Sequence, residues 1–191
     1  ARTIGAVLAS DECYAELGWE SRDVPSLLDQ DVTQGDMSGL LALYSLSKQS
    51  NLAGYRAGIM AGDEALIESL LLARKHLGLM MPAPIQAAVA AVLADDIHVS
   101  RQRELYSARR DVIFGALRFA GFQIDHSEAG LYAWATRGED CWATLGWFAD
   151  RGILVAPGSF YGEAGNQHVR VALTASDKAC DAFAARLPPV V

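Results

Sequence analysis

The sequence predicts an α/β fold that passes into an α+β lobe, and three observations carry that expectation. Short apolar runs alternate with helix-period stretches up to about residue 98. A charged stretch at 99–120 then carries Leu105, Val112, Ile113, Leu117 and Phe119, the pattern of one long amphipathic helix. After Gly121 the chain turns to short strands interleaved with two helices. The expected division is therefore 1–98 and 99–191, with a linking helix at about 99–120.

Each element has a local reason. Thr3 to Ala9 is apolar and ends in Ser10-Asp11-Glu12, which predicts a short buried strand. Residues 21–38 are polar and contain Pro25 and Gly35, so they read as a loop. Leu40 to Leu46 is a second apolar run, broken sharply at Ser47-Lys48, and 54–61 suggests a third strand. Asp63 is placed to cap a helix in which Leu66, Ile67, Leu70, Leu71 and His76 follow at near-helical spacing. Pro82 and Pro84 end that helix and open an alanine-rich one from Ile85 to Leu93. Beyond the long helix, strands are expected at Phe122–Asp125, Gly130–Ala135, Ile153–Val155 and His168–Leu173. Helices are expected at 141–151 and after Ser176.

Composition narrows the function classes. The 191 residues are 51% hydrophobic and 20% charged, ordinary for a globular chain able to bury a core. A formal net charge of −7 leaves no basic excess to displace counterions from a nucleic acid. No nucleic-acid partner is expected. No apolar run approaches the roughly 20 residues that cross a bilayer, so no membrane partner is expected either. Cys13, Cys141 and Cys180 are too few and too scattered for a disulfide framework, which favours a reducing, cytoplasmic setting. His76, His98, His126 and His168 lack metal-ligand spacing, so no metal site is expected.

Chemistry concentrates at Tyr44-Ser45-Leu46-Ser47-Lys48 and at Gly54-Tyr55-Arg56-Ala57-Gly58. Lys48 is one of three lysines and directly follows an apolar strand, where ligand sites of α/β sheets lie. An ammonium there is either an anion contact or a nucleophile whose pKa falls on desolvation. Ser45 and Ser47 add hydroxyl donors, and Arg56 adds a guanidinium fork suited to phosphate. Asp11 also lies just beyond a strand, as the partner of a cationic ring nitrogen or as a solvated cap. Tyr14, three residues on, could reach the same ring or simply pack. Arg170 alternates with Val169 and Val171, so it shares a strand face with His168 and Ala172. A substrate carboxylate and a structural salt bridge both account for it.

Taken together, Asp11-x-x-Tyr14, Ser45-x-Ser47-Lys48, Arg56 eight positions later and Val169-Arg170-Val171 resemble the class I/II aminotransferases of pyridoxal-phosphate (PLP) fold type I. The turn Ala156-Pro157-Gly158-Ser159-Phe160-Tyr161-Gly162 strengthens the resemblance, which covers essentially the whole chain. It implies that 1–98 belongs to the large PLP-binding domain, with a mixed, mostly parallel sheet, and that 99–191 is the small C-terminal domain. It implies pyridoxal 5'-phosphate as cofactor and Lys48 as its Schiff-base lysine and proton shuttle. It further implies Asp11 on the ring nitrogen, Tyr14 on the phenolic oxygen, and Ser45, Ser47 and Arg56 on the phosphate. Arg170 would take the substrate carboxylate, amino acid and 2-oxo acid would be the small-molecule partners, and the assembly would be a homodimer.

The stretch from Arg74 to Gln86 is similar to actinobacterial N-succinyldiaminopimelate aminotransferases of lysine biosynthesis. The same fold also hosts PLP-sensing transcriptional regulators and PLP lyases, which reuse the lysine for other ends. Members of the family are about twice this length, and the chain opens on Ala1-Arg2-Thr3 as a fragment would. The 191-residue polypeptide by itself is accordingly expected to be inactive.

Overall fold

The computed structural model describes residues 1–21 and 24–189; Arg22 and Asp23 of the expected 21–38 loop lie outside the described residues. The chain divides into two compact units, Ala1–Arg103 and Glu104–Val191.

The first unit is built on a three-stranded sheet of β1 (Leu8–Asp11), β2 (Leu40–Ser45) and β3 (Gly58–Gly62), in that order. β1 and β2 run parallel with Asp11 opposite Leu43, whereas β2 and β3 run antiparallel with Ser45 opposite Gly58. The sheet is thus mixed, with β2 central and its Leu40, Leu41 and Ala42 buried. β1 begins later than the expected 3–9 strand. Arg2–Ile4 instead form a 3-10 turn closed by Gly5 at φ 66°, and Arg2 donates to the carbonyls of Asp36 and Ser38. That turn curls Thr3 and Ile4 away from any ladder. The 21–38 segment is not all loop, because Gln30–Thr33 make the single turn α1. β3 also starts late: Ala53–Tyr55 form a 3-10 turn and Arg56 is left-handed at φ 52°, so extended backbone resumes only at Gly58.

The helices follow the capping logic closely. Lys48 lies in the single-turn helix α2 (Leu46–Gln49), where the sequence suggests only a polar break. Asp63 caps α3 (Glu64–His76) by accepting from the N–H groups of Ala65 and Leu66. Pro82 precedes α4 (Ala83–Leu93), with Pro84 in its first turn, where a missing N–H costs nothing. α5 (Ile97–Phe119) is the expected long helix and runs continuously from the first unit into the second. No helix among the described residues is long and apolar enough to cross a membrane.

The second unit carries an antiparallel sheet in the order β4 (Gln123–Asp125), β5 (Tyr132–Thr136), β7 (His168–Ala172), β6 (Ala156–Pro157). Strand alternation sets its two faces. Ala133, Ala135, Val169 and Val171 point into a core closed by Ile113, Phe114 and Leu117 of α5, by Phe148 of α6 (Cys141–Ala149), and by Cys180 and Phe183 of α7 (Asp177–Arg186). Tyr132, Trp134, His168 and Arg170 share the other face. The expected strand at Ile153–Val155 is displaced to Ala156–Pro157. The Ile153 N–H closes on the Phe148 carbonyl as α6 ends, and Leu154 stands 94% exposed, so neither can join the ladder.

Candidate active site

In the first unit, the carboxyl ends of β1 and β2 bring Asp11, Cys13, Ser45 and Lys48 into one neighbourhood. Asp11 ends β1 and accepts from the Cys13 N–H at 3.1 Å through one oxygen. Cys13's own thiol and backbone hold the Asp11 carboxyl below the ordinary carboxylate range. Asp11 is therefore an anion throughout the neutral range, as a partner for a cationic ring nitrogen must be. The Cys13 thiol is pushed the other way, first by burial and then by the Asp11 charge, while Ser45 and the Lys48 ammonium pull it down. One small side chain thus feels Asp11, Ser45 and Lys48 together.

Ser45 caps the Lys48 turn. Its hydroxyl accepts from the Ser47 N–H at 3.2 Å and lies 3.0 Å from the Ser47 hydroxyl. Ser45, Ser47, Arg56 and Cys13 line a cleft of about 340 Å³, to which Arg74 also contributes. Arg56 donates from one guanidinium nitrogen to the Ala53 carbonyl at 3.1 Å. Its left-handed backbone costs about 1–3 kcal/mol in a residue with a Cβ. Such strain is found where a site demands a particular direction of side chain. The Lys48 ammonium makes no salt bridge among the described residues. Tyr14 begins the 3-10 turn at Ala15–Leu17 and is partly buried.

In the second unit, Arg170 stands between two rings: its guanidinium carbon lies 4.2 Å from the Tyr132 centroid and 5.0 Å from that of Tyr161. No carboxylate pairs with it among the described residues, so the salt-bridge explanation left open by the sequence finds no partner there. The two tyrosines fix the fork by cation–π contact while leaving its donors to a ligand. Trp134 meets Tyr161 edge-on at 5.8 Å and stacks on His168 at 5.1 Å, and His168 Nε2 lies 3.0 Å from Asp125. The Pro157–Gly162 turn needs its glycine, since a Cβ on Gly158 would come within 2.2 Å of the Gly165 carbonyl and 2.9 Å of Trp134. The Arg170 wall and Cys13 went unnoticed in the sequence. Period-two alternation of Tyr132 and Trp134 with Ala133 and Ala135 was the available signal for the wall; nothing local marks Cys13.

The Asp125–His168 pair has a pH consequence. His168 first, then Gln123, hold the Asp125 carboxyl below its ordinary value. A depressed carboxylate contributes stability that is present above the unfolded value of about 3.9 and is lost as pH falls through the folded one. In the full-length protein, the urea midpoint should therefore fall more steeply on acidification from about pH 5 to pH 3 than in Asp125→Asn. Parallel curves for the two proteins would remove Asp125 from the acid response.

A lysine just beyond a central strand thus shares one end of the sheet with an ionised carboxylate and a cleft lined by hydroxyls and a guanidinium, an arrangement suited to a small anionic ligand. The family model for aminotransferase class I and II matches residues 1–187, and the chain belongs to that family. It is 60% identical over 187 residues to the 4-dedimethylamino-4-oxo-anhydrotetracycline transaminase OxyQ of Streptomyces rimosus, covering 98% of this chain and 52% of that protein. It is 56% identical over 187 residues to the probable aminotransferase Rv1178 of Mycobacterium tuberculosis, covering 98% and 44%. Among solved structures, the N-succinyldiaminopimelate aminotransferase of Mycobacterium tuberculosis superposes with a TM-score of 0.81 at 25% identity, over 95% of this chain and 49% of that one. The chain spans about half the length of the curated relatives it matches. Its fold is that of the type I PLP enzymes, and pyridoxal phosphate is the cofactor of this family.

Proposed function

We propose that the protein containing this chain transfers an amino group between an amino acid and 2-oxoglutarate, using pyridoxal phosphate anchored by Lys48. The observation that carries this reading is the Cys13 side chain, which feels the charges of both Asp11 and Lys48 and lines the same cleft as Ser45, Ser47 and Arg56. When bound, the cofactor supplies an electron-withdrawing ring conjugated to the substrate's α-carbon. Lys48 would take the proton from that α-carbon. Asp11, ionised, would keep a proton on the ring nitrogen, and Tyr14 would donate to the phenolic oxygen. Ser45, Ser47 and Arg56 hold the phosphate, and Arg170 receives the substrate carboxylate on a fork already oriented by Tyr132 and Tyr161.

On this reading 1–98 is part of the PLP-binding large domain and 99–191 the small domain. The working assembly is a cytoplasmic homodimer completed by further chain, and the 191-residue polypeptide alone lacks activity. The proposed amino donor is N-succinyl-LL-2,6-diaminopimelate, in lysine biosynthesis. The resemblance of Arg74–Gln86 and the M. tuberculosis structure support it. The 60% identity to OxyQ favours a second reading, an aminotransferase acting on a polycyclic ketone.

Borohydride reduction of the PLP-loaded full-length protein, followed by peptide mapping, tests the anchor: the modified lysine should be Lys48. Modification at Lys75 or Lys178 would overturn the assignment. The same preparation, given N-succinyl-LL-diaminopimelate, should convert to the pyridoxamine form; conversion only in reverse from a polycyclic ketone would select the second reading.

A further inference from the structure

The turn that carries Lys48 is too short to hold itself in place. A helix of four residues closes almost no internal hydrogen bonds for the backbone freedom it gives up, so its orientation depends on its anchors. At its start Leu46 is fully buried and Ser45 caps it; Tyr44 donates its hydroxyl to the buried Gln49 side chain. At its end Ser50 and Leu52 donate their N–H groups to the Leu46 carbonyl at 3.2 and 3.4 Å. These bonds fix where the turn begins and ends. They leave Ser50 and Asn51, the residues just beyond the turn, to be tied to the rest of the fold by other contacts.

That tie comes from the first turns of α5. His98 Nε2 lies 2.8 Å from the Ser50 hydroxyl, and His98 Nδ1 lies 3.1 Å from an Asp95 carboxylate oxygen. A carboxylate can only accept, so Nδ1 carries the proton toward Asp95, and in the neutral ring Nε2 accepts from Ser50. Asp95 is fixed in turn, because it accepts the Ile97 N–H at 2.9 Å, the first contribution holding its carboxyl below the ordinary range. One helical turn further on, Gln102 accepts from the Asn51 side chain at 2.6 Å. Two successive residues after the Lys48 turn are thus held by two residues at i and i+4 on one face of α5. Arg103, next along, donates to the Gly18 carbonyl and sits 5.4 Å from the Trp19 ring, behind the Tyr14 turn.

We propose that Asp95, His98 and Ser50 form a positioning chain that sets the direction of Lys48, with Gln102–Asn51 as its second tie. The bond order matches that of a serine nucleophile, but here the chain ends on the residue that caps the lysine's turn. Asp95 is half exposed and His98 only about a third exposed, so the imidazole is the better shielded link. The proposal rests on Lys48 being the cofactor-bearing residue, and the test separates the two.

The full-length, PLP-loaded protein is compared with its His98→Ala, His98→Gln, His98→Asn and Ser50→Ala variants. The readouts are the half-reaction rate with a saturating amino acid and the pH midpoint of the bound cofactor's absorbance. His98→Ala should slow the half-reaction about tenfold, without raising KM, and shift the midpoint by about half a unit or more, because displaced catalytic groups lose rate steeply. Glutamine places an amide near Nε2 and can still reach Ser50, so His98→Gln should recover most of both. Asparagine places its amide near Nδ1, keeps only the Asp95 contact, and should not recover them. Ser50→Ala removes a single hydroxyl and should reproduce His98→Ala even if that variant folds poorly. Unchanged rate and midpoint in Ser50→Ala, or equal recovery by asparagine and glutamine, would overturn the proposal. Borohydride mapping on the same samples reports whether the anchor is Lys48; loss of that label in the parent protein is failure of the cofactor assignment instead.

Discussion

Replacing Lys48 with alanine in the full-length protein should lower the transamination rate by at least about 10⁴-fold, since it removes both the covalent anchor and the proton carrier. The more informative substitution is Lys48→Arg. Arginine keeps the positive charge at the end of β2 but cannot give up a proton to become a nucleophile. If Lys48 were only an anion contact, arginine would preserve most of the rate. If it is the Schiff-base residue, Lys48→Arg should be as inactive as Lys48→Ala while still taking up cofactor. Uptake persists because Ser45, Ser47 and Arg56 line their cleft independently of the amine, and Asp11 remains ionised. Measured together, cofactor content and half-reaction rate decide between the roles: a retained rate in Lys48→Arg would exclude the covalent one. Lys75 lies in the last turn of α3 and Lys178 in the first turn of α7, neither at the end of a sheet strand.

How much of this was legible in the sequence depended on whether the signal was local. Asp63, Asp140 and Ser176 each accept the N–H groups of a helix start, and capping is a short-range hydrogen bond that the sequence displays. The faces of β7 were legible for the same reason, since alternation is a property of the strand itself. Elements moved where a distant partner intervened. Arg2 reaches residues 36 and 38 from a 3-10 turn where composition writes a strand. Arg56 reads as an ordinary strand residue, yet the turn before it forces a left-handed backbone and delays β3 by several positions. Among site residues, the lysine cluster was legible because its members are neighbours in the chain. Tyr132 and Tyr161 around Arg170 were not, because residues 38 and 9 positions before the arginine close on it from two different elements only in the folded unit. The tie from His98 to Ser50 spans 48 positions and was invisible for the same reason.

Arg170 is the second residue whose loss should be large, and the form of the loss tests its role. Arg170→Lys retains the charge but removes the planar fork, and it also weakens the contacts with Tyr132 and Tyr161, which favour a flat guanidinium. Truncating one partner of a desolvated, hydrogen-bonded charge pair costs about 2–4 kcal/mol, which is roughly 30- to 1000-fold in kcat/KM. If Arg170 reads the carboxylate, lysine should lose nearly as much as alanine, because a point charge cannot give the bidentate pair. The folded state should change little, since Arg170 closes no salt bridge among the described residues whose removal would strand a charge. A thermal midpoint that falls along with activity would return Arg170 to a structural role on the β5–β7 face. An intact midpoint with a steep loss of kcat/KM for carboxylate-bearing donors would leave it as the substrate's anchor, held ready by two rings before any ligand arrives.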